Sequence, residues 1–93
     1  MKQVYPVIFT QLDDKKHTVL IEVPDLEILT EGFGMPNAIE MARDAIGLKV
    51  ITMEDQKEKI PNPRMIKEID ALQGTFAQEG EGLVSMVDVD FAE

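Results

Sequence analysis

The side chains of this sequence that could do chemistry are mainly its 18 aspartates and glutamates. Two-metal cleavage of a phosphodiester needs several carboxylates that converge on two Mg²⁺ ions roughly 4 Å apart. Asp88 and Asp90 alternate within a strand-like segment and so share one face, but two acids do not complete such a site. Asp13 and Asp14 fall in a predicted loop, and residues 4–11 before them contain no acid. The sequence therefore predicts no catalytic and no metal-binding residue.

Other reactive residue types are scarce. The chain has no cysteine, which excludes disulfides, thiolate zinc sites and cysteine nucleophiles. Its single histidine, His17, follows two lysines and has no recognisable orienting partner, so we predict a histidine at the surface or at a strand edge. Gly32 and Gly34 lack the third glycine of a dinucleotide fingerprint. We therefore expect a protein without enzymatic activity or cofactor.

The charge of the chain is strongly acidic. Nine basic and 18 acidic side chains give a formal net charge of −9. Such a charge repels nucleic acid and anionic membranes and favours a basic partner, although on charge alone a merely solvated acidic surface is the more common explanation. The absence of cysteine and of any long apolar run predicts a cytoplasmic protein.

The first third of the chain has the pattern of strands. Residues 4–12 are apolar on both faces, which indicates a strand buried on both sides. Pro6 cannot donate a ladder hydrogen bond, so we expect that end of the strand to lie at an edge or bulge. Residues 13–16 form a hairpin-length connection to a returning strand over residues 17–23, and a third short strand is predicted over residues 28–31.

The middle of the chain has helical spacing. We predict a helix from Met35 to about Glu54, with Pro36 in its first turn. Gly47 is interpreted as a close-packing position or as a break. The predicted buried residues are Met35, Ile39, Ala42 and Ile46, and the predicted exposed ones are Glu40 and Asp44.

The last third predicts a second helix and a final strand. The second helix begins at Asn62 and Pro63 and ends at Gly74, and a flexible loop follows over residues 75–82. Residues 83–91 alternate like a half-buried strand. The order β-β-β-α-α-β indicates an α+β fold, with a mainly antiparallel sheet of about four strands and the helices on one face.

Several short motifs occur in an order that resembles the HicB family of antitoxins. They are Tyr5-Pro6, Asp13-Asp14, Pro24-Asp25-Leu26, Thr30-Glu31-Gly32, Ala38 and Ala42, Ile60 to Pro63, and the closing LVSMVDVDF. One departure is Phe33-Gly34, where the family usually has a capping Asp-Thr or Asp-Ser. Many relatives continue into a DNA-binding domain. We expect residues 1–93 to form a single HicB-like domain without that module.

The resemblance implies a function. A HicB-like domain has a partial ribonuclease H-like fold and is the antitoxin of a type II toxin–antitoxin pair, in which it neutralises a small basic HicA-like RNA-cleaving toxin by covering it. The chain would then contact this toxin, but neither nucleic acid nor membrane, and could form a homodimer or a higher homo-oligomer. Asp25, Glu27 and Glu31 are the predicted partner-binding residues, because they lie in the family's most recognisable segment.

Two alternatives to the antitoxin remain open. The first is a stand-alone domain of the same fold that binds another protein or a small ligand. The second is a metal-dependent nuclease, suggested by the relation to ribonuclease H. The nuclease is disfavoured because its site would need an acid in the first strand, and residues 4–11 have none.

Overall fold

The structure, a computed structural model, describes residues 2–90. It contains four strands and one α-helix, which confirms the predicted α+β class. These elements are β1 (Lys2–Gln11), β2 (Thr18–Val23), β3 (Ile28–Phe33), α1 (Met35–Asp55) and β4 (Glu81–Asp90). Short 3-10 turns occur at Pro24–Leu26, Ile66–Glu68 and Ala71–Gln73.

The strands form one antiparallel sheet in the order β3-β2-β1-β4. The last strand of the chain therefore returns beside the first, and β3 and β4 are the two edges. Strand β1 pairs with β2 only from Ile8 to Gln11. Pro6 thus has a strand neighbour on the β4 side alone, which confirms the prediction that this end of β1 lies at an edge.

One face of the sheet is covered by α1. The alternating residues Tyr5, Val7 and Phe9 of β1 are completely buried on this face. The helix contributes the fully buried Ala42 and Ile46, as predicted. The other predicted positions also agree: Met35 and Ile39 are half-buried against the core, while Glu40 and Asp44 are exposed.

The start of α1 comes unusually close to the sheet. A Cβ atom at Gly32 would lie 2.8 Å from the Cα of Ala38, so only glycine fits at this point of β3. Gly34, with φ of 80°, occupies the N-cap position and offers no side-chain cap, as the sequence indicated. The amide oxygen of Asn37 instead accepts a hydrogen bond from the Phe33 N–H at 2.8 Å.

The helix runs without interruption through Gly47, so the predicted break is wrong. The close-packing interpretation is also wrong within this chain. A Cβ atom there would meet nothing within 4 Å beyond the neighbouring helix backbone. No helix within residues 2–90 is both long enough and apolar enough to cross a membrane.

The prediction of a second helix is wrong. The sheet therefore has one α-helix on one face, and not the two that were expected. Residues 61–80, here called the crossing segment, contain only two 3-10 turns. The backbone is extended at Met65 and Ile69. The Asp70 carboxylate accepts a hydrogen bond from the Leu72 N–H at 2.9 Å, a local bond that competes with helix formation.

The crossing segment covers the second face of the sheet, and this position explains its shape. Ile8 points to that face and is only 4% exposed. Gly74 is the reason the segment can approach so closely, because a Cβ atom there would lie 3.1 Å from Ile8 Cδ1. Glu22 then accepts hydrogen bonds from the N–H and the hydroxyl of Thr75 at 2.8 and 2.9 Å. The predicted flexible loop over residues 75–82 is thus tied down where it begins, and it ends early because β4 starts at Glu81.

The predicted end of the last strand lies partly outside the described residues. Strand β4 includes residues 83–90 of the predicted segment, whereas Phe91 is not described. Its register confirms the predicted alternation, because Val87 pairs with Tyr5 and Val89 with Gln3. Both valines are buried on the same side as α1.

Two glycines of the same fold should respond oppositely to alanine. Gly32→Ala should destabilise the chain by about 1–3 kcal/mol, since the new methyl group would press against the α1 backbone. Gly47→Ala should stabilise it by about 1 kcal/mol through helix propensity alone. Urea denaturation midpoints measure both changes. A Gly32→Ala variant as stable as the wild type would contradict the close contact between β3 and α1.

Candidate protein-binding surface

Two of the three predicted contact acids, Asp25 and Glu27, lie in the tight corner between β2 and β3, and Glu31 lies further along β3. Pro24 opens the 3-10 turn of this corner and Leu26, which is 2% exposed, fixes it in the core. Glu27 closes the turn in the left-handed conformation, with φ of 54°, and its N–H donates to the Pro24 carbonyl. The corner is therefore rigidly positioned by one buried leucine and one proline.

Asp25 faces inward from this corner. Its side chain is only 5% exposed and forms an ion pair with the Arg64 guanidinium. The same carboxylate accepts a hydrogen bond from the Arg64 backbone N–H at 2.8 Å. Asp25 thus fastens the start of the crossing segment to the sheet, and its carboxylate is not open to a partner.

Tyr5 makes a second tie in the same region. Its hydroxyl donates a hydrogen bond to the Pro61 carbonyl at 3.2 Å. Burial, and after it the negative charge of Asp25, raise the pKa of Tyr5 above its ordinary value. The hydroxyl therefore stays protonated and remains a donor at any ordinary pH.

Glu27 and Glu31 are exposed, but they lie on different faces. Glu27 borders a small cleft of about 190 Å³ whose walls include Lys49 and Met53 of α1. Glu31 pairs with Leu20 across the β2–β3 ladder, and this register places it on the face opposite α1. The structure therefore does not bring the three predicted acids together into one patch.

Glu31 has apolar neighbours on its own strand. Leu29 and Phe33 alternate with it along β3 and are 55% and 51% exposed. Edge strands that expose apolar side chains can pair with another chain. This β3 row is therefore one of the surfaces at which a partner could bind.

Asp88, one of the acids that a nuclease site would need, forms ion pairs with basic side chains. Arg43 of α1 donates to both its carboxylate, at 2.8 Å, and its backbone carbonyl, at 3.0 Å. Lys2 lies 3.8 Å from the same carboxylate. The hydrogen bond from Arg43 is the main cause that lowers the pKa of Asp88. Within residues 2–90, no three acids, histidines or cysteines are grouped so that they could hold a metal ion.

His17 is exposed in the β1–β2 connection, as predicted. It adopts the left-handed conformation, with φ of 56°, and its N–H donates to the Asp14 carbonyl. The Asp14 carboxylate accepts the Thr18 N–H at 2.9 Å, and this bond lowers the pKa of Asp14. Both residues shape the turn, and no acid within residues 2–90 forms a hydrogen bond with the imidazole.

A further surface was not predicted from the sequence. Three apolar residues of α1 point outward: Met41, Leu48 and Ile51, which are 36%, 68% and 55% exposed. Their separations of seven and three residues put them along one line of the helix. This spacing is visible in the sequence, but the stronger apolar stripe on the other side of the helix is the one that faces the core.

Comparison with solved structures identifies the fold. A chain of a toxin–antitoxin complex from Streptococcus pneumoniae is 24% identical, with a TM-score of 0.79 over 97% of this chain and 70% of that chain. A chain of the HicA3 and HicB3 toxin–antitoxin complex is 14% identical, with a TM-score of 0.70 over 95% of this chain and 99% of that chain. No family model matches the sequence, and none of the curated proteins matches it. The HicB-like fold expected from the sequence is confirmed at the level of structure.

The inward-facing Asp25 should matter for stability. Asp25→Asn should destabilise the chain by about 1–3 kcal/mol, because a charged and nearly buried hydrogen-bond acceptor is lost. Glu27→Gln, two residues away and exposed, should stay within about 0.5 kcal/mol of the wild type. Urea denaturation compares the two variants. Equal midpoints would show that Asp25 does not anchor the crossing segment.

The Arg43–Asp88 pair should give a measurable pH dependence. The folded pKa of Asp88 is below its ordinary value of 3.8, so its contribution to stability is present above that value and is lost as pH falls through the folded pKa. The Tm difference between wild type and Asp88→Asn should therefore shrink from about pH 5 to about pH 2. A difference that is constant over this range would contradict the ion pair.

Proposed function

We propose that this chain is a HicB-like antitoxin of a type II toxin–antitoxin system, which neutralises a small basic HicA-like RNA-cleaving toxin by covering it. The observation that carries this proposal is the fold, shared over 97% and 95% of the chain with chains of two toxin–antitoxin complexes. The net charge of −9 supports a basic partner.

The two exposed acids, Glu27 at the β2–β3 corner and Glu31 further along β3, would act in the encounter with the partner and not in holding the complex. Glu27 and Glu31 are exposed, and among the described residues neither forms an ion pair of the kind that holds Asp25. Charges of this kind mainly speed the encounter of two proteins, while a few buried apolar contacts hold the complex. Asp25 contributes indirectly, since it keeps the corner in shape.

A binding role without catalysis is part of the same proposal. Asp88, one of the two acids that alternate in β4, forms ion pairs with Arg43 and Lys2. The excess of acids also disfavours direct contact with DNA or RNA. A cytoplasmic location is proposed, because the RNA that such a toxin cleaves is found there.

The proposal is tested with the small basic protein encoded beside this chain's gene. Co-expression should relieve any growth arrest that this protein causes, and the two chains should purify together as a 1:1 complex. If no such protein is encoded there, or if the purified pair does not associate, the antitoxin function is wrong.

Charge reversal at the corner should affect the rate of association. Glu27→Lys combined with Glu31→Lys should lower the association rate about tenfold and weaken its salt dependence, with an unchanged Tm. The matched control is Glu79→Lys combined with Glu81→Lys, which changes the net charge equally at exposed positions beside the start of β4. Stopped-flow mixing at several salt concentrations gives the rates. If both pairs slow association alike, only the total charge matters and Glu27 and Glu31 have no special role in the encounter.

A further inference from the structure

The outer face of α1 has exposed apolar side chains and a glycine, which lower the stability of an isolated chain. Met41, Leu48 and Ile51 are exposed along one line of the helix, here called the apolar line, which the exposed Asp44 interrupts between Met41 and Leu48. At 1.5 Å of rise per residue this line is about 15 Å long. Two of these side chains are more than half exposed, so the sheet that buries the opposite side of the helix gives them little cover.

Gly47 lies directly beside this apolar line. A glycine inside a helix costs about 1 kcal/mol relative to alanine. Here neither close packing nor backbone strain explains it, because a Cβ atom would meet nothing within 4 Å and the only glycine of residues 2–90 with positive φ is Gly34. Gly47 therefore leaves a notch in the surface of the helix, one turn from Asp44 and Ile51. Glycine at such a point lets another chain approach the helix backbone closely.

The charges around the notch are negative. Glu40, Asp44 and Asp55 are exposed on the outward side of α1. The two basic residues in the middle of the helix are directed elsewhere: Arg43 is paired with Asp88, and Lys49 lines the cleft beside Glu27. An apolar pair at Leu48 and Ile51, with Asp44 and Asp55 on either side of it along the helix, fits a partner whose apolar contact residues are flanked by Lys or Arg.

A second copy of this chain is a poor occupant of the same face. Each copy carries a net charge of −9, and two such helices packed together would bring their acidic rims into contact. Like charges placed against each other across an interface oppose association. The charge therefore favours a basic partner over self-association at this surface.

We infer that the outer face of α1, centred on Gly47, Leu48 and Ile51, is the docking surface for a basic protein. This inference rests on the proposed function, because the basic protein is the toxin that the chain would neutralise. The apolar line supplies the contacts that hold the complex, and the notch at Gly47 admits the partner's backbone. Helices present apolar anchors at this kind of spacing when they bind in a groove.

Gly47→Gln separates binding from folding. Glutamine is a better helix former than glycine, so the Tm of the free chain should rise. The same side chain would fill the notch, so the dissociation constant for the small basic protein encoded beside this chain's gene should increase at least about tenfold. A gain in stability together with a loss of affinity is not expected from damage to the fold.

Leu48→Gln removes an apolar contact and has a matched control on the other candidate surface. Leu48→Gln should weaken binding of the same basic protein about tenfold or more, while Leu29→Gln on the exposed β3 row should leave it nearly unchanged. Isothermal titration calorimetry measures all the affinities, and sedimentation gives the oligomeric state of each free chain.

The outcomes distinguish this inference from the proposed function. If wild type binds the basic protein and both Leu48→Gln and Gly47→Gln bind it equally well, the docking surface is wrong and the function stands. If only Leu29→Gln weakens binding, the partner occupies the β3 row and the inference is also wrong. A free dimer that Leu48→Gln converts to a monomer, with unchanged affinity for the basic protein, would assign the face to a second copy. Failure of the wild type itself to bind would overturn the proposed function.

Discussion

Strand β1 has to be covered on both of its faces, and the rest of the chain is arranged around this constraint. Tyr5, Val7 and Phe9 point to one side and Ile8 to the other, and all four are buried. The amphipathic helix α1 can cover only one side of the sheet. The crossing segment lies across the other, where Gly74 approaches Ile8 and Thr75 donates hydrogen bonds to Glu22. Its shape thus follows from the strand that it covers.

The need to hold the crossing segment also decides which acids are available for function. Part of the segment's apolar surface stays in water, since Met65 and Leu72 are 55% and 80% exposed. It is fastened instead by polar ties from Asp25 and Glu22. Such ties are specific in geometry and occupy the carboxylates that make them. An acid's position in a recognisable motif therefore does not tell whether its charge faces a partner or its own chain.

Much of the fold could be predicted from the sequence, because its strongest patterns are local. The apolar residues on both faces of β1 predict that strand, and the apolar stripe of α1 predicts that helix. Both predictions agree with the structure. The prediction of a second helix was wrong because the spacing of Ile66 and Ile69 is compatible with a helix. The contacts to Ile8 and Glu22 that decide the structure come from residues distant in sequence. The candidate site was predicted less well for the same reason. Nothing local to Asp25 reveals its pairing with Arg64.

We interpret the outer face of α1 as a surface that lowers the stability of the free chain and raises it again when a partner covers the face. The exposure of Leu48 and Ile51 to water and the position of Gly47 within the helix all lower the stability of the free chain. A domain of 93 residues is only modestly stable, so these losses matter. A partner that buries the two apolar side chains and fills the notch would stabilise the folded chain by mass action. Under the proposed docking, the free antitoxin is therefore the less stable species and the complex the more stable one. The same helix then serves both purposes: its inner stripe completes the core, and its outer line couples the stability of the fold to the presence of the toxin.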